Sequence, residues 1–237
     1  MKNILKMLLD VSNFEKIIGF HFKNKDLLIE ALTHRSYLNE NRKIQGRHNE
    51  RLEFLGDAVL ELCVTDFLYH KFKDQQEGVL TAYRAALVNA TTLSSVATKI
   101  GMNDFLLLSR GEAKDVGKAR QVILANAFEA LIGAIYLDGG YEKANMFLEK
   151  NLFPLTDEIV QKRKWLDAKS HFQEKAQEIS GITPSYKTLR EVGPDHDKKF
   201  TVGVFLGDEK VAEGEGKSKQ EAEQNAAEAG LQVKGWN

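Results

Sequence analysis

The chain has 237 residues, of which 43% are hydrophobic and 28% charged, and its formal net charge is −1. That length accommodates one medium-sized domain and one small domain with separate cores. The near-zero net charge excludes a polycationic protein that binds nucleic acid through its overall field, so any such binding must come from a local patch.

Cysteine content and hydropathy indicate the cellular compartment of the chain. Its single cysteine, Cys63, excludes an intrachain disulfide framework and suits a reducing compartment. We find no window that approaches the roughly 20 apolar residues of a membrane span, and the basic, apolar N-terminus is too short for a signal peptide. The sequence therefore predicts a cytoplasmic protein with no membrane partner.

Helical periodicity dominates the first two thirds of the chain. Residues 1 to about 152 contain no proline, and their apolar residues recur at i, i+3, i+4 and i+7. A charged run, "TDEIVQKRKWLDAKS", begins just after Pro154. We therefore predict an all-α domain over residues 1–154, followed by a linker over residues 155–167.

The last third has a different pattern. A helical segment, "AKSHFQEKAQEI", is followed by three segments typical of strands, "SYKTLREV", "KKFTVGVFLG" and "EKVAEGEG", and then by a helix from Ser218. The predicted fold class is multi-domain: an all-α domain followed by a small α+β domain of order α-β-β-β-α over residues 168–237.

Two helical stretches carry carboxylates in unusual places. In "HNERLEFLGDAVLEL", Glu50, Glu53 and Asp57 fall on one strip of a helix, where like charges repel, although a solvated acidic face is the plainer interpretation of an isolated helix. In "ILANAFEALIGAIYLDGG", Asn126 and Glu129 stand in an otherwise apolar helix. A carboxylate there needs a buried partner, which can be an arginine, a hydroxyl or a metal.

Packing of these two helices with their polar residues inward would bring several oxygen ligands together. A hard divalent cation would neutralise them, and oxygen ligands without a Cys/His cluster suit Mg²⁺ or Mn²⁺ rather than zinc or di-iron. The chemistry typical of such a site is metal-assisted phosphodiester hydrolysis.

The start of the last helix has the features of a phosphate site. In "GKSKQEAEQNAAEAGL", Ser218 and Glu221 form a capping-box pattern, and Lys217 and Lys219 flank the positive end of the helix dipole. The alternative is an ordinary amphipathic helix with exposed lysines. From residue 168 onward there are 10 lysines and arginines against 12 aspartates and glutamates, so binding must rest on a few well-placed cations.

Several stretches resemble bacterial ribonuclease III. They are "ALTHRSY", "HNERLEFLGDAVL", "EGVLTAYRAALVN" and "ANAFEALIGAIYLDGG", and the last third resembles a double-stranded RNA-binding domain, with "GEGKSKQEAEQNAA" its most specific piece. The resemblance implies a homodimeric, Mg²⁺-dependent endonuclease, with Mn²⁺ as a possible substitute. It would hydrolyse double-stranded RNA to 5′-phosphate and 3′-hydroxyl ends and process ribosomal RNA precursors and structured messenger RNAs.

The resemblance also implies roles for individual residues. The metal ligands would be Glu53, Asp57, Asn126 and Glu129, with Asp57 and Glu129 as the catalytic pair. The auxiliary acidic residues would be Glu50 and Glu77. The RNA contacts would be Gln173, Glu174, His196, Lys217, Ser218 and Lys219.

Asn126 departs from the family pattern, which commonly has an aspartate there. An amide oxygen can coordinate Mg²⁺ but brings no negative charge, so metal affinity should fall or the preference should move toward Mn²⁺. The alternative interpretation is therefore a protein that binds duplex RNA with weak or no cleavage.

Overall fold

Two separate units make up the chain, as its composition predicts. The computed structural model describes residues 11–161, 167–194 and 198–236, and the chain divides into Met1–Trp165 and Leu166–Asn237. Each unit has its own hydrophobic core.

The regular elements described in the first unit, over residues 11–161, are all helices, which confirms the predicted class. A helix that includes residues 11–18 (α1) comes first among the described residues. The helices that follow are α2 (Lys25–Leu32), α3 (Arg35–Glu40), α4 (Glu50–Lys71), α5 (Glu77–Val88), α6 (Ala90–Lys99), α7 (Lys118–Gly139), α8 (Tyr141–Asn151) and α9 (Leu155–Gln161).

α7 forms the centre of this unit. Every residue from Ile123 to Ile135 is buried except Asn126 and Glu129. By length and composition α7 could cross a membrane, which corrects the prediction that no window is long and apolar enough. Because 61% of its apolar window is buried inside the protein, its hydrophobicity is explained by its place in the core.

α4 and α7 approach each other backbone to backbone. A Cβ atom on Gly56 would lie 1.8 Å from the carbonyl oxygen of Glu129, and one on Gly133 would lie 2.4 Å from the carbonyl oxygen of Leu52. Only glycine fits at these two positions, since real Cβ contacts under 3.0 Å are essentially never seen. The contact brings the acidic strip of α4 against the polar pair of α7.

The predicted linker is partly helical. α9 (Leu155–Gln161) packs on the first unit, where Thr156 and Ile159 are buried. The Ile159 side chain is part of the hydrophobic core of that unit. Residues 162–166 lie outside the described residues. Asp167 then caps the first helix of the second unit, since its carboxylate accepts hydrogen bonds from the backbone N–H groups of the first helical turn.

The second unit has the predicted order α-β-β-β-α. Its elements are α10 (Ala168–Ser180), β1 (Ser185–Val192), β2 (Lys199–Leu206), β3 (Glu209–Gly216) and α11 (Lys219–Lys234), and the strands form an antiparallel sheet in the order β1-β2-β3. The two helices cover one face, where Phe172, Val204 and Leu231 are buried.

Small residues let α11 lie close to the sheet. Ala222, Ala226, Ala227 and Gly230 are buried along the helix, and a Cβ atom on Gly214 of β3 would lie 2.1 Å from the backbone nitrogen of Ala226. This close packing holds α11 against β3, which ends shortly before the helix begins.

Candidate active site and RNA-binding site

The polar residues of α4 and α7 meet at the glycine contact. Glu53, Asn126 and Glu129 are half-buried and Asp57 is exposed. Burial, together with the charges of Asp57 and Glu53, raises the pKa of the Glu129 carboxyl to about 7. The three carboxylates therefore interact as one repelling group.

Asn126 contacts this acidic group through Glu53. The Asn126 side chain lies close to Glu53 and, because its amide can donate a hydrogen bond, it favours the charged form of that carboxyl group. Burial and the neighbouring charges of Glu50 and Asp57 nevertheless raise the pKa of the Glu53 carboxyl above its ordinary value. One neutral amide does not offset the repulsion.

Within the described parts of the chain, this acidic group has no cationic partner. Among the described residues, no lysine, arginine or histidine forms an ion pair with Glu53, Asp57 or Glu129. Within the same part of the chain, no three His, Cys, Asp or Glu side chains are already arranged so that they could hold a metal ion. Carboxylate and amide oxygens are the donors that a hard divalent cation prefers, so the donor set fits such an ion once the side chains converge on it.

A cavity of about 520 Å³ lies beside the acidic group. Glu50 lies at this cavity beside two basic side chains: Arg35 Nη1 is 3.4 Å from Glu50 Oε1 and His48 Nδ1 is 3.7 Å from Glu50 Oε2. The lining residues are His34, Arg35, Asn49, Glu50, Glu53, Glu112, Ala119, Val122, Ile123 and Asn126. The cavity therefore offers a polar, partly cationic wall next to uncompensated carboxylates.

Two other sequence candidates have different surroundings. Glu77 is exposed in the first turn of α5 and does not line this cavity. His34 caps α3, where its Nδ1 accepts a hydrogen bond from the backbone N–H of Ser36 at 3.3 Å. Burial lowers the pKa of His34, which suits this neutral, accepting role.

The start of α11 confirms the serine half of the predicted capping box, while Glu221 reaches back one residue further, to Lys217. The Ser218 hydroxyl accepts a hydrogen bond from the backbone N–H of Glu221 at 3.2 Å, and Glu221 Oε2 accepts one from the backbone N–H of Lys217 at 2.7 Å. Lys217 and Ser218 are exposed at this end of the helix. The helix end is therefore fixed in position and open to solvent.

Lys219 is turned back onto the sheet. Its Nζ lies 2.9 Å from Glu191 Oε1 and 5.7 Å from the centre of the Phe200 ring, and Lys198 Nζ lies 4.0 Å from the other oxygen of Glu191. The hydrogen bond from Lys219 lowers the pKa of the Glu191 carboxyl. Gln173 and Glu174 are exposed on α10, and His196 lies outside the described residues.

Sequence reasoning missed four residues that shape these sites: Gly56, Glu112, Gly133 and Glu191. The two glycines could have been noticed, because a glycine inside a long helix costs roughly 1 kcal/mol relative to alanine and so suggests a packing reason. Glu112 is far in sequence from the residues with which it lines the cavity, and Glu191 is far in sequence from Lys219. No motif near either glutamate indicates these contacts.

Comparisons with known proteins agree with this geometry. A family model described as "Ribonuclease-III-like" matches residues 24–155, and one described as "Double-stranded RNA binding motif" matches residues 168–234. The chain is 44% identical over 223 residues to "Ribonuclease 3" of Bdellovibrio bacteriovorus, covering 94% of this chain and 95% of that protein. It is 45% identical over 216 residues to "Ribonuclease 3" of Geobacillus kaustophilus, covering 91% of this chain and 87% of that protein.

A solved structure supports the same assignment for the first unit. The ribonuclease III nuclease domain of Campylobacter jejuni, described as flexible in a region involved in dimer formation, superposes with a TM-score of 0.53 at 45% identity. The match covers 60% of this chain and 96% of that one. Fold and site thus define an endoribonuclease with a helical nuclease domain and a double-stranded RNA-binding domain. The chain belongs to the ribonuclease III family.

Proposed function

We propose that this protein hydrolyses the phosphodiesters of double-stranded RNA, leaving 5′-phosphate and 3′-hydroxyl ends, with Mg²⁺ as its metal and Mn²⁺ as a substitute. Its substrates are ribosomal RNA precursors and structured messenger RNAs in the cytoplasm. The observation that carries the proposal is the group of uncompensated carboxylates at the contact of α4 and α7. Repelling charges in a half-buried place destabilise a fold, so a ligand of opposite charge explains them.

In this proposal the oxygens of Glu53, Asp57, Asn126 and Glu129 hold the metal. A bound divalent ion supplies an activated water at neutral pH and stabilises the leaving oxygen. Asp57 and Glu129 act nearest the reacting phosphate: Asp57 is exposed to substrate, and α7 holds Glu129 between buried residues. Glu50 and Glu77 are auxiliary acids, with Glu50 oriented by Arg35 and His48.

The second unit positions the duplex. Lys217, Ser218 and Lys219 at the start of α11 contact phosphates, where free N–H groups and the helix dipole favour an anion. Gln173 and Glu174 of α10, with His196, contact the flanking minor grooves, as in shape-based recognition of duplex RNA. Because cations are few in this unit, binding is modest and steeply dependent on salt.

We also propose that the protein works as a homodimer joined along α4. Phe54, Leu62 and Tyr69 are 83%, 58% and 68% exposed, and their spacing places them on one side of the helix. A second copy of the same surface would bury this strip in a two-fold interface. The resemblance to a nuclease domain whose description mentions a region involved in dimer formation supports a dimer.

The dimer is tested by Phe54→Glu, with Val116→Glu as the control. Both positions are highly exposed, at 83% and 91%, so neither change disturbs the core. We expect Phe54→Glu to give a monomer in sedimentation or light scattering and Val116→Glu to behave as the unchanged protein. A dimer that persists in Phe54→Glu at micromolar concentration would contradict the α4 interface.

The second candidate function is duplex-RNA binding with little cleavage. It is favoured by one observation: Asn126 places a neutral amide beside Glu53 rather than a fourth negative charge.

Cleavage of a perfect RNA duplex in Mg²⁺ and in Mn²⁺, by this chain and by Asn126→Asp, separates the two functions. We expect cleavage by both proteins, with Asn126→Asp needing about tenfold less Mg²⁺ because it adds a ligand charge. Negligible cutting by both proteins in both metals would refute the enzyme. Cutting only by Asn126→Asp would assign this chain to binding.

A further inference from the structure

The cations at the start of α11 are not equivalent. Lys217 is exposed, and no ion pair of its side chain occurs among the described residues. Lys219 instead forms an ion pair with Glu191 at 2.9 Å while lying over the Phe200 ring. The phosphate site thus has one cation that is free in this state and one that is already neutralised.

The placement of Glu191 follows from the register of the sheet. Glu191 of β1 is paired with Phe200 of β2, and Phe200 is paired with Gly216 of β3, directly before α11 begins. This row across the three strands brings the Glu191 carboxylate within reach of both Lys219 and Lys198. The carboxylate therefore occupies the kind of position, between two lysines, that a phosphate oxygen would take.

We propose that Glu191 competes with the RNA phosphate for Lys219 and thereby sets the affinity of this domain for duplex RNA. The inference rests on the proposed function, in which Lys219 contacts the phosphate backbone. Before that contact forms, Lys219 must leave Glu191, and the carboxylate then remains beside a phosphate of the same charge. Both steps oppose binding, so Glu191 makes the domain weaker and less dependent on salt than its lysines alone would make it.

The size of the effect is bounded by the exposure of the pair. The side chains of Lys219 and Glu191 are 57% and 38% exposed, and exposed ion pairs contribute little because solvent and salt screen them. We therefore expect a change of about three- to fivefold in affinity at low salt rather than orders of magnitude.

The test is binding of the full chain to a perfect RNA duplex longer than the roughly 16 base pairs that such a domain spans, without divalent metal so that no cleavage occurs. Glu191→Gln keeps the shape of the side chain and removes its charge. We expect it to bind about three- to fivefold more tightly at low salt. The plot of log K against log salt should also be steeper by about one, because one more cation is available to a phosphate.

Glu213→Gln is the matched control. Glu213 is an exposed carboxylate of the same sheet that pairs with Lys210, so its replacement removes the same charge from a comparable ion pair that does not involve Lys217 or Lys219. We expect little change in affinity. An equal gain for Glu191→Gln and Glu213→Gln would show an effect of net charge alone and would overturn the proposal, as would no gain for Glu191→Gln.

A double-mutant cycle ties the effect to Lys219. In a Lys219→Ala background Glu191→Gln should give a smaller gain, because only the repulsion between the carboxylate and the phosphate is left to relieve, whereas an undiminished gain there would overturn the proposal. Failure of the proposed function itself looks different: the unchanged chain would then not bind the duplex, or Lys217→Ala would leave its affinity and salt dependence unaltered.

Discussion

The two sites of this protein handle charge in opposite ways. At the contact of α4 and α7, carboxylates are pressed together with no cation paired to them among the described residues, and burial together with the charges of Asp57 and Glu53 raises the pKa of Glu129 to about 7. At the start of α11, Lys219 is neutralised by a neighbouring carboxylate. The first arrangement stores repulsion that a bound cation would relieve, and the second lowers the attraction for an anion. If the proposed function holds, repulsion favours binding of a metal ion at the first site, and the ion pair limits binding of a highly charged polymer at the second.

The largest expected effect tests the strained site. Glu129→Gln should reduce cleavage of duplex RNA about a thousandfold, because it removes a ligand charge from a centre that supplies several kcal/mol of transition-state stabilisation. It should leave duplex binding unchanged. Single-turnover cleavage and filter binding measure the two properties.

The control for that change is Glu149→Gln, which alters an exposed carboxylate on α8. It should cleave as the unchanged protein does. If Glu129→Gln lost RNA binding and folding together with cleavage, the role of Glu129 would be structural. That result would contradict the difference in charge arrangement that we describe between the two sites.

The next effect concerns the backbone contact that presses the carboxylates together. Gly56→Ala should separate α4 from α7, because its Cβ would lie 1.8 Å from the Glu129 carbonyl oxygen. We expect a loss of about 1–3 kcal/mol in unfolding free energy and of about a hundredfold in cleavage. Denaturant titration and single-turnover kinetics measure these losses.

Gly78→Ala is the matched substitution, since it also lies in a helix but has no atom within 4 Å of the new Cβ. It should be neutral or slightly stabilising. Equal losses of stability and cleavage in both variants would show that the effect of Gly56→Ala does not come from the backbone contact between α4 and α7.

A smaller effect separates the two lysines of the restrained site. Lys217→Ala should weaken duplex binding about fivefold and flatten the salt dependence by about one, whereas Lys219→Ala should cost about twofold because Glu191 already offsets its charge. Titrations at several salt concentrations give both values. An equal cost for the two lysines would remove the difference that we draw between them.

The smallest effect is a pH dependence of the metal-free nuclease domain. The folded-state pKa of Glu129 is about 7 against an ordinary value of 4.5, so between these pH values the folded state holds a proton that the unfolded state has lost. Stability from this group is therefore complete below about pH 4.5 and is lost as pH rises toward 7.

Thermal melts in the presence of a chelator measure this pH-dependent loss of stability. We expect the Tm of the unchanged protein to fall between pH 5 and pH 7, and the Tm of Glu129→Gln to fall less. The same slope in both proteins would assign the pH dependence to other groups.

Much of this architecture could be predicted from the sequence, because it depends on local patterns. Periodicity predicted the helices of the first unit and the order of the second, and the isolated polarity of Asn126 and Glu129 in α7 identified the candidate site. The linker prediction for the α9 segment rests on the charged run that begins just after Pro154, although the buried Ile159 is enough to anchor the segment to the first unit.

What could not be predicted depends on residues that meet only in the folded chain. Nothing near Glu191 in sequence shows that it will face Lys219, since the pairing of β1 with β2 creates that contact. The cavity that joins Glu112 to Glu53 depends in the same way on how loops and helices meet.

The apolar character of α7 has a consequence for how the chain reaches its native state. A helix of 22 residues that is hydrophobic on nearly every side is a hazard for aggregation while it is uncovered. α2, α4 and α6, which all pack on α7, precede it in the chain and so leave the ribosome first. Synthesis from the N-terminus therefore delivers α7 to partners that are already present, and its exposure during folding is brief.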